Sequence, residues 1–362
     1  MPFKLILQLS VRNLFRYPRR NGLLLVAIAF ALAGATLTNS LMRGWQYDML
    51  DRAVENLVGH VKVQASEYRD DPNMQHSFVL PENYMPQLSG VEIAGWAPRI
   101  KVPAVVLSER QSRGVQLVAV DPEREGISFF SELKFTGEKL TDAEDGRIVI
   151  GAELARQLQT RVGRKLVVLT QSADGKNRER GFRIAGTFDA DGTSLEKAFA
   201  FTGLASAQSF LRDQTTNETA GLVTEVSFLL TEEPLREVAV SELEVVFPNK
   251  DIADWRVLQP QVAEMFVLAD ASIYIIFLLM MGGLAFGLVN TLIAAVMERV
   301  RELGMLRAIG MQRRVVLAQV VVESMMIMCV GIVLGLAAGC LGVWALSDGI
   351  DLSAFAEGID AF

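Results

Sequence analysis

Cysteine is nearly absent. The 362 residues hold two, Cys329 and Cys340, both inside one apolar run. On a helix the intervening positions span about 16 Å, beyond disulfide reach, so both read as packing residues. The polar stretches have no cysteine, and nothing in them reports a redox compartment. Histidine is as scarce: His60 and His76 stand at no metal-ligand spacing. No metal and no cofactor is expected. The chain also lacks an excess of basic charge. With 35 Lys+Arg against 42 Asp+Glu the net charge is −7, which argues against nucleic acid, whose phosphates need a clustered basic face. No GxxxxGK[ST] loop occurs, since Gly175-Lys176 is followed by Asn177 in a turn-like cluster. The chain therefore has no nucleotide-phosphate cradle of its own. There is no nucleophile elbow and no HExxH helix. No catalytic residue is assigned, and the chain is not expected to be an enzyme.

What the chain has is apolar length, unevenly spread: 51% of residues are hydrophobic. Residues 1–20 are basic and amphipathic, with Lys4, Arg12, Arg16, Arg19 and Arg20 among Phe3, Leu7, Val11, Leu14 and Phe15. This fits a helix lying in the membrane interface. Residues 21–43 then form a first spanning helix, long enough to cross a bilayer. A cleaved signal peptide ending near Ala33-Gly34-Ala35 is the rival reading. Against it, the basic region is long, and Leu41, Trp45, Met49, Ala53 and Leu57 continue a four-residue spacing past that site. The spacing predicts a stalk helix entering a polar domain that covers residues 44–268.

Within that domain, alternating or β-branched runs predict strands at His60–Ala65, Val102–Leu107, Val115–Val120, Arg147–Ile150, Lys165–Thr170, Phe182–Phe188, Glu225–Leu230 and Leu243–Phe247. Helical patches sit at Ala152–Gln159 and Leu204–Leu211, and a second stalk helix is expected over 252–270. The fold class is α+β: transmembrane helices with a large mixed α/β domain, of a size that buries its own core.

Residues 270–296 and 315–346 are the second and third spans. Between them lies Glu298–Arg314, ERVRELGMLRAIGMQRR, with five arginines in seventeen residues. Val300, Leu303, Leu306 and Ile309 recur every third position, an apolar stripe along one helix face, and Gly310 offers a C-terminal stop. Residues 297–314 thus read as a short surface helix with one face free for a partner. In the third span Gly331, Gly335 and Gly339 share a face and permit close helix packing, although glycine is also simply tolerated in membrane helices. Glu323 and Asn290 are polar positions expected to act structurally, as interhelical contacts. Asp270 falls at the outer boundary and is expected to be solvated. The two basic regions place the N-terminus and the 297–314 segment in the cytoplasm and the large domain outside.

Several of these residues resemble one family. Asp254-Trp255-Arg256 with Pro260, then Arg301-Glu302-Leu303-Gly304-Met305-Leu306-Arg307-Ala308-Ile309-Gly310, then Gln319 and Val322-Glu323 are similar to the permeases of the lipoprotein-releasing (LolC/LolE) and MacB group of ABC transporters, which includes FtsX. Ile148-Val149-Ile150-Gly151-Ala152-Glu153-Leu154-Ala155 resembles part of its MacB-like periplasmic core. The resemblance implies a multi-pass bacterial inner-membrane protein with a periplasmic domain. It implies a P-loop ATPase partner that binds ATP, and a second permease copy or sister permease. Glu298, Arg301, Glu302, Leu303, Gly304, Leu306, Arg307, Ala308 and Gly310 would form the coupling helix that docks on the ATPase. The charges alone would also fit an ordinary positive-inside loop. The family's fourth C-terminal span is expected to be lacking, with residues 347–362 as the extracytoplasmic segment leading to it. The implied activity is release of lipoproteins or another lipid-anchored cargo. The alternatives are a MacB-like exporter of peptides, drugs or toxins and an FtsX-like protein that activates a periplasmic enzyme.

Overall fold

The computed structural model describes residues 18–55, 57–81, 84–190, 193–211, 221–298, 300–308 and 312–347. Most of the basic N-terminal segment, Gly310 and all but the first residue of 347–362 lie outside them. The chain opens with helix α1 (Pro18–Glu55) and strands β1 (Val61–Gln64), β2 (Phe78–Val79), β3 (Ile93–Leu107), β4 (Ser112–Val120), β5 (Lys134–Gly137) and β6 (Ile148–Gly151). Helix α2 (Ala152–Gln157), strands β7 (Lys165–Gln171) and β8 (Asn177–Asp189), helix α3 (Leu195–Ala198), strand β9 (Phe199–Gly203) and helix α4 (Leu204–Leu211) follow. Then come β10 (Leu222–Val223), β11 (Glu225–Leu230), helix α5 (Arg236–Val246), β12 (Asp251–Asp254) and helices α6 (Trp255–Leu258), α7 (Pro260–Glu298), α8 (Val300–Ala308) and α9 (Arg313–Ala345). They fall into two compact units. One holds α1 up to Asp48 and the described chain from Met265 onward; the other is Met49–Glu264.

In the second unit β3 serves two lobes. Its first half pairs antiparallel with β11, and the order β12-β1-β11-β3 makes a four-stranded sheet. Its second half pairs with β4 on one side and β7 on the other. From there β4, β9, β6, β8 and β7 lead back to β3, a closed hydrogen-bonded circuit. Closure leaves the six strands of the circuit no free edge among themselves; β5 pairs with β8 outside it and forms an edge. Alternate residues of these strands, such as Val102, Ala104, Val106, Leu117 and Phe182, share one core with Leu154, Ala207 and Leu211.

The four-stranded sheet buries both faces of β1. Val61 and Val63 meet Val226, Phe228 and, from α5, Ala239 and Leu243. The opposite face carries Lys62 and Gln64, which alternation alone would leave in water, yet both are buried.

Two expectations are corrected here. Leu243–Phe247 is not a strand but the end of α5. That helix buries Ala239 and Leu243 at a four-residue spacing and leaves Val245 and Val246 exposed. The second stalk is not one helix over 252–270 either. Residues 251–254 form β12, which pairs with β1. Asp254 then caps α6, its carboxylate accepting from the Val257 amide at 3.1 Å. The helix breaks at Gln259 (φ −129°, ψ 68°), the residue before Pro260, where a following proline disfavours helical geometry. Pro260 then opens α7, a position where its missing N–H costs nothing.

Among the described residues, three helices are long and apolar enough to cross a membrane.

Candidate functional site

Helix α8 is nine residues long, between two helices of 39 and 33 residues. The backbones of Arg301, Glu302, Leu303, Gly304, Leu306, Arg307 and Ala308 all lie on it, and Glu298 ends the helix before it. The side chains of Val300, Arg301 and Met305 are exposed, as are Gly304 and Ala308. A basic group thus stands beside uncovered apolar surface on one short element.

The glycines of α9 meet α1. A Cβ on Gly331 would lie 2.8 Å from the Ile28 side chain, one on Gly335 2.9 Å from the Ala29 carbonyl oxygen, and one on Gly339 2.8 Å from Thr36 Cβ. These are distances no side chain tolerates, so only glycine allows this approach. The contact positions rise together, so α1 and α9 run parallel. Helix α7 runs the opposite way: Gly34 faces Met280, while the Gln46 amide donates to Asp270 Oδ1 at 3.0 Å. Asp270 is exposed but is held by that bond. Glu323 is buried in the first unit; Asn290 is exposed.

Between α1 and α7 lies a cavity of about 490 Å³, with Leu336 of α9 also in its lining. Leu32, Ala35, Met42, Ile273, Phe277 and Met280 make its walls apolar, while Thr38, Asn39, Arg43 and Asp270 add polar groups. Its size suits a ligand of tens of atoms, and its lining suits one with an apolar body and a polar end.

In the second unit the two chain entries are tied together. Helix α1 stops at Glu55, and Leu57 takes φ +62°. Its carbonyl accepts from Arg99 Nη1 at 2.9 Å. Arg99, fully buried, also forks onto Glu125 (Nε–Oε1 2.6 Å, Nη2–Oε2 2.8 Å) and donates to Ser227 Oγ at 2.9 Å. On the exit side Trp255 donates its backbone N–H to the His60 carbonyl and its indole N–H to Glu233. Arg236 donates to Asp254, and Gln259 donates to the Ala53 carbonyl of α1 at 3.1 Å. The Asp-Trp-Arg…Pro segment therefore builds the connection between the last strand and α7. The His60 Nδ1 accepts from the Leu230 amide, and no metal-binding cluster occurs among the described residues.

Residues 22–242 match the MacB-like periplasmic core domain family, and residues 274–361 match the FtsX-like permease C-terminal family. The chain is an ABC transporter permease of the LolC/LolE, MacB and FtsX group. It is similar to the lipoprotein-releasing system transmembrane protein LolC of Neisseria meningitidis, 24% identical over 91% of this chain and 80% of that protein. It is also similar to LolE of Haemophilus influenzae, 23% identical over 79% of this chain and 68% of that one. A shorter match, 37% identical over 71 residues, links it to the macrolide export protein MacB of Brucella abortus, covering 18% of this chain and 11% of that protein.

The permease carries an unusual charge cluster beside its α1 joint. Lys62 Nζ meets Glu225 Oε2 at 3.0 Å, and both are buried. Burial pushes the Lys62 ammonium down to about 8 despite the attraction of Glu225. Burial also works to raise Glu225, but Lys62, Lys101 and Arg99 together outweigh it and hold its carboxyl below the ordinary value. For Arg99 the penalty of burial is overcome by Glu125 and then Glu225, so its pKa rises. Sequence reading missed this cluster, because its members lie on four strands and turns far apart in the chain. The cavity was missed too, although Asn39 and Arg43 sit one helical turn apart at the end of an apolar run, a signal that could have pointed to it.

Proposed function

We propose that this permease is driven at α8 by a separate P-loop ATPase and releases a lipid-anchored cargo, a lipoprotein before others, from the outer leaflet of the bacterial inner membrane. The observation that carries this reading is the α1–α7 cavity, whose apolar walls and polar groups suit acyl chains joined to a polar head. Each buried methylene of such a chain is worth about 0.8 kcal/mol. Extraction therefore needs an energy source, and the chain has no nucleotide cradle of its own. The ATP is bound by the partner.

In this account Arg301, Glu302, Leu303, Gly304, Leu306, Arg307 and Ala308 of α8, with Glu298 before it and Gly310 after it in the chain, form the coupling surface. Displacement of α8 passes into α7 and α9. The glycine contacts at Gly331, Gly335 and Gly339 carry it to α1, and the Leu57–Arg99 joint delivers it to the periplasmic domain. A second permease, identical or sister, completes the membrane part. The N-terminus and α8 are cytoplasmic.

Phe277→Asp tests the cargo claim by placing a charge in the apolar wall. With the permease and its ATPase reconstituted in vesicles, the variant should hydrolyse ATP but lose ATP-dependent release of a triacylated protein about tenfold or more. Unchanged release would remove the cavity from the account. The match to MacB favours a second reading, export of a soluble periplasmic peptide or drug; release of such a cargo and none of lipoproteins would select it.

A further inference from the structure

Several arginines of the periplasmic domain are paired with carboxylates: Arg69 with Asp251, Arg99 with Glu125, Arg124 with Asp121, Arg147 with Asp145, Arg178 with Asp174 and Arg236 with Asp254. Elsewhere three arginines and a lysine without such partners line one pocket. Arg110, Arg161, Arg164 and Lys165 converge on a polar pocket of about 180 Å³, and among the described residues none of the four has an ion-pair partner. Glu109 is the one carboxylate in the lining.

The pocket is built from two turns with fixed backbones. Ser108 closes the β3–β4 turn by bonding Gln111 through its amide. Its hydroxyl donates to the Leu158 carbonyl at 2.7 Å, which ties this turn to the loop after α2. In that loop the Arg164 amide bonds the Arg161 carbonyl, and Gly163 (φ +88°) and Arg164 are pinned to Ile184 of β8 by backbone bonds. The cations thus stand on anchored backbone. Like charges gathered so closely repel one another, and an anion between them removes that cost.

We propose that this pocket is a phosphate site, taking the phosphate of a lipid headgroup or free phosphate. Three guanidinium forks and an ammonium match the several oxygens and double charge of a phosphate monoester better than the single charge of a carboxylate. The site is independent of the cargo cavity and of the ATPase reading.

Titration calorimetry on the full-length chain in a neutral detergent tests it, with three probes: inorganic phosphate, short-chain phosphatidic acid and acetate. The expected result is saturable binding of a phosphate probe, weakened about tenfold or more in R161E/R164E and strengthened in Glu109→Gln. Both substituted segments are exposed, and an unchanged thermal melt checks that the fold is kept. Phosphatidic acid binding without inorganic phosphate binding would assign the site to lipid; comparable binding of both would assign it to the phosphate group alone. Acetate binding as tight as phosphate, no binding of either phosphate probe, or equal binding by R161E/R164E would overturn the proposal.

Discussion

Arg99 shows how much one side chain can join. It links the end of α1, through the Leu57 carbonyl, to the 3₁₀ turn that carries Glu125 and to β11 through Ser227. A buried ion pair adds little net stability, because desolvation offsets attraction, but breaking one half is severe. Glu125→Ala leaves the guanidinium buried without its forked partner. It should destabilise the domain by about 3–5 kcal/mol, while R99M/E125M should lose much less. Denaturant unfolding of the full chain, followed by tryptophan fluorescence, measures both. Equal losses in the single and double variants would mean that packing, not charge, holds the joint. None of this was legible in the sequence. Arg99 and Glu125 are 26 positions apart, and Arg99 and Ser227 are 128 apart. The Val-Lys-Val-Gln alternation of β1 suggests a solvated face where the fold has a buried one.

At the level of elements, legibility followed the strength of the period. Lys165–Thr170 and Glu225–Leu230 alternate and form strands, and Leu204–Leu211 is a helix with those bounds. Leu243–Phe247 misled because Leu243-Glu244-Val245 alternates for too few residues to tell a strand from a helix, and α5 buries only part of the segment. The connection at 251–260 misled because a cap and a proline were read as the interior of one helix. The closed circuit of β3, β4, β9, β6, β8 and β7 was not legible at all, since pairing between distant strands leaves no local mark. For the spans, the four-residue glycine spacing did point to one face of α9. Gly335→Leu on that face would drive a side chain into the Ala29 backbone. It should cost about 1–3 kcal/mol as overpacking and lower the melting temperature of the membrane unit. Val333→Leu, on an exposed position, should be neutral. Equal effects of the two would deny the α1–α9 seam.

At the scale of the whole molecule, the account joins a periplasmic core domain to an ATPase through helices alone. The charged stretch after residue 298 was the most legible candidate feature, because a short charged helix between two apolar ones has a distinct composition. What it binds is the central claim. The direct measurement is gentle purification of the permease from native membranes, with mass spectrometry of the proteins that stay bound, for the wild type and for Arg307→Glu. The account predicts a P-loop ATPase held by the wild type and lost from the variant, with the variant still full length and inserted. A wild-type chain that emerges alone, or an Arg307→Glu chain that keeps its ATPase and its coupled hydrolysis, would contradict it.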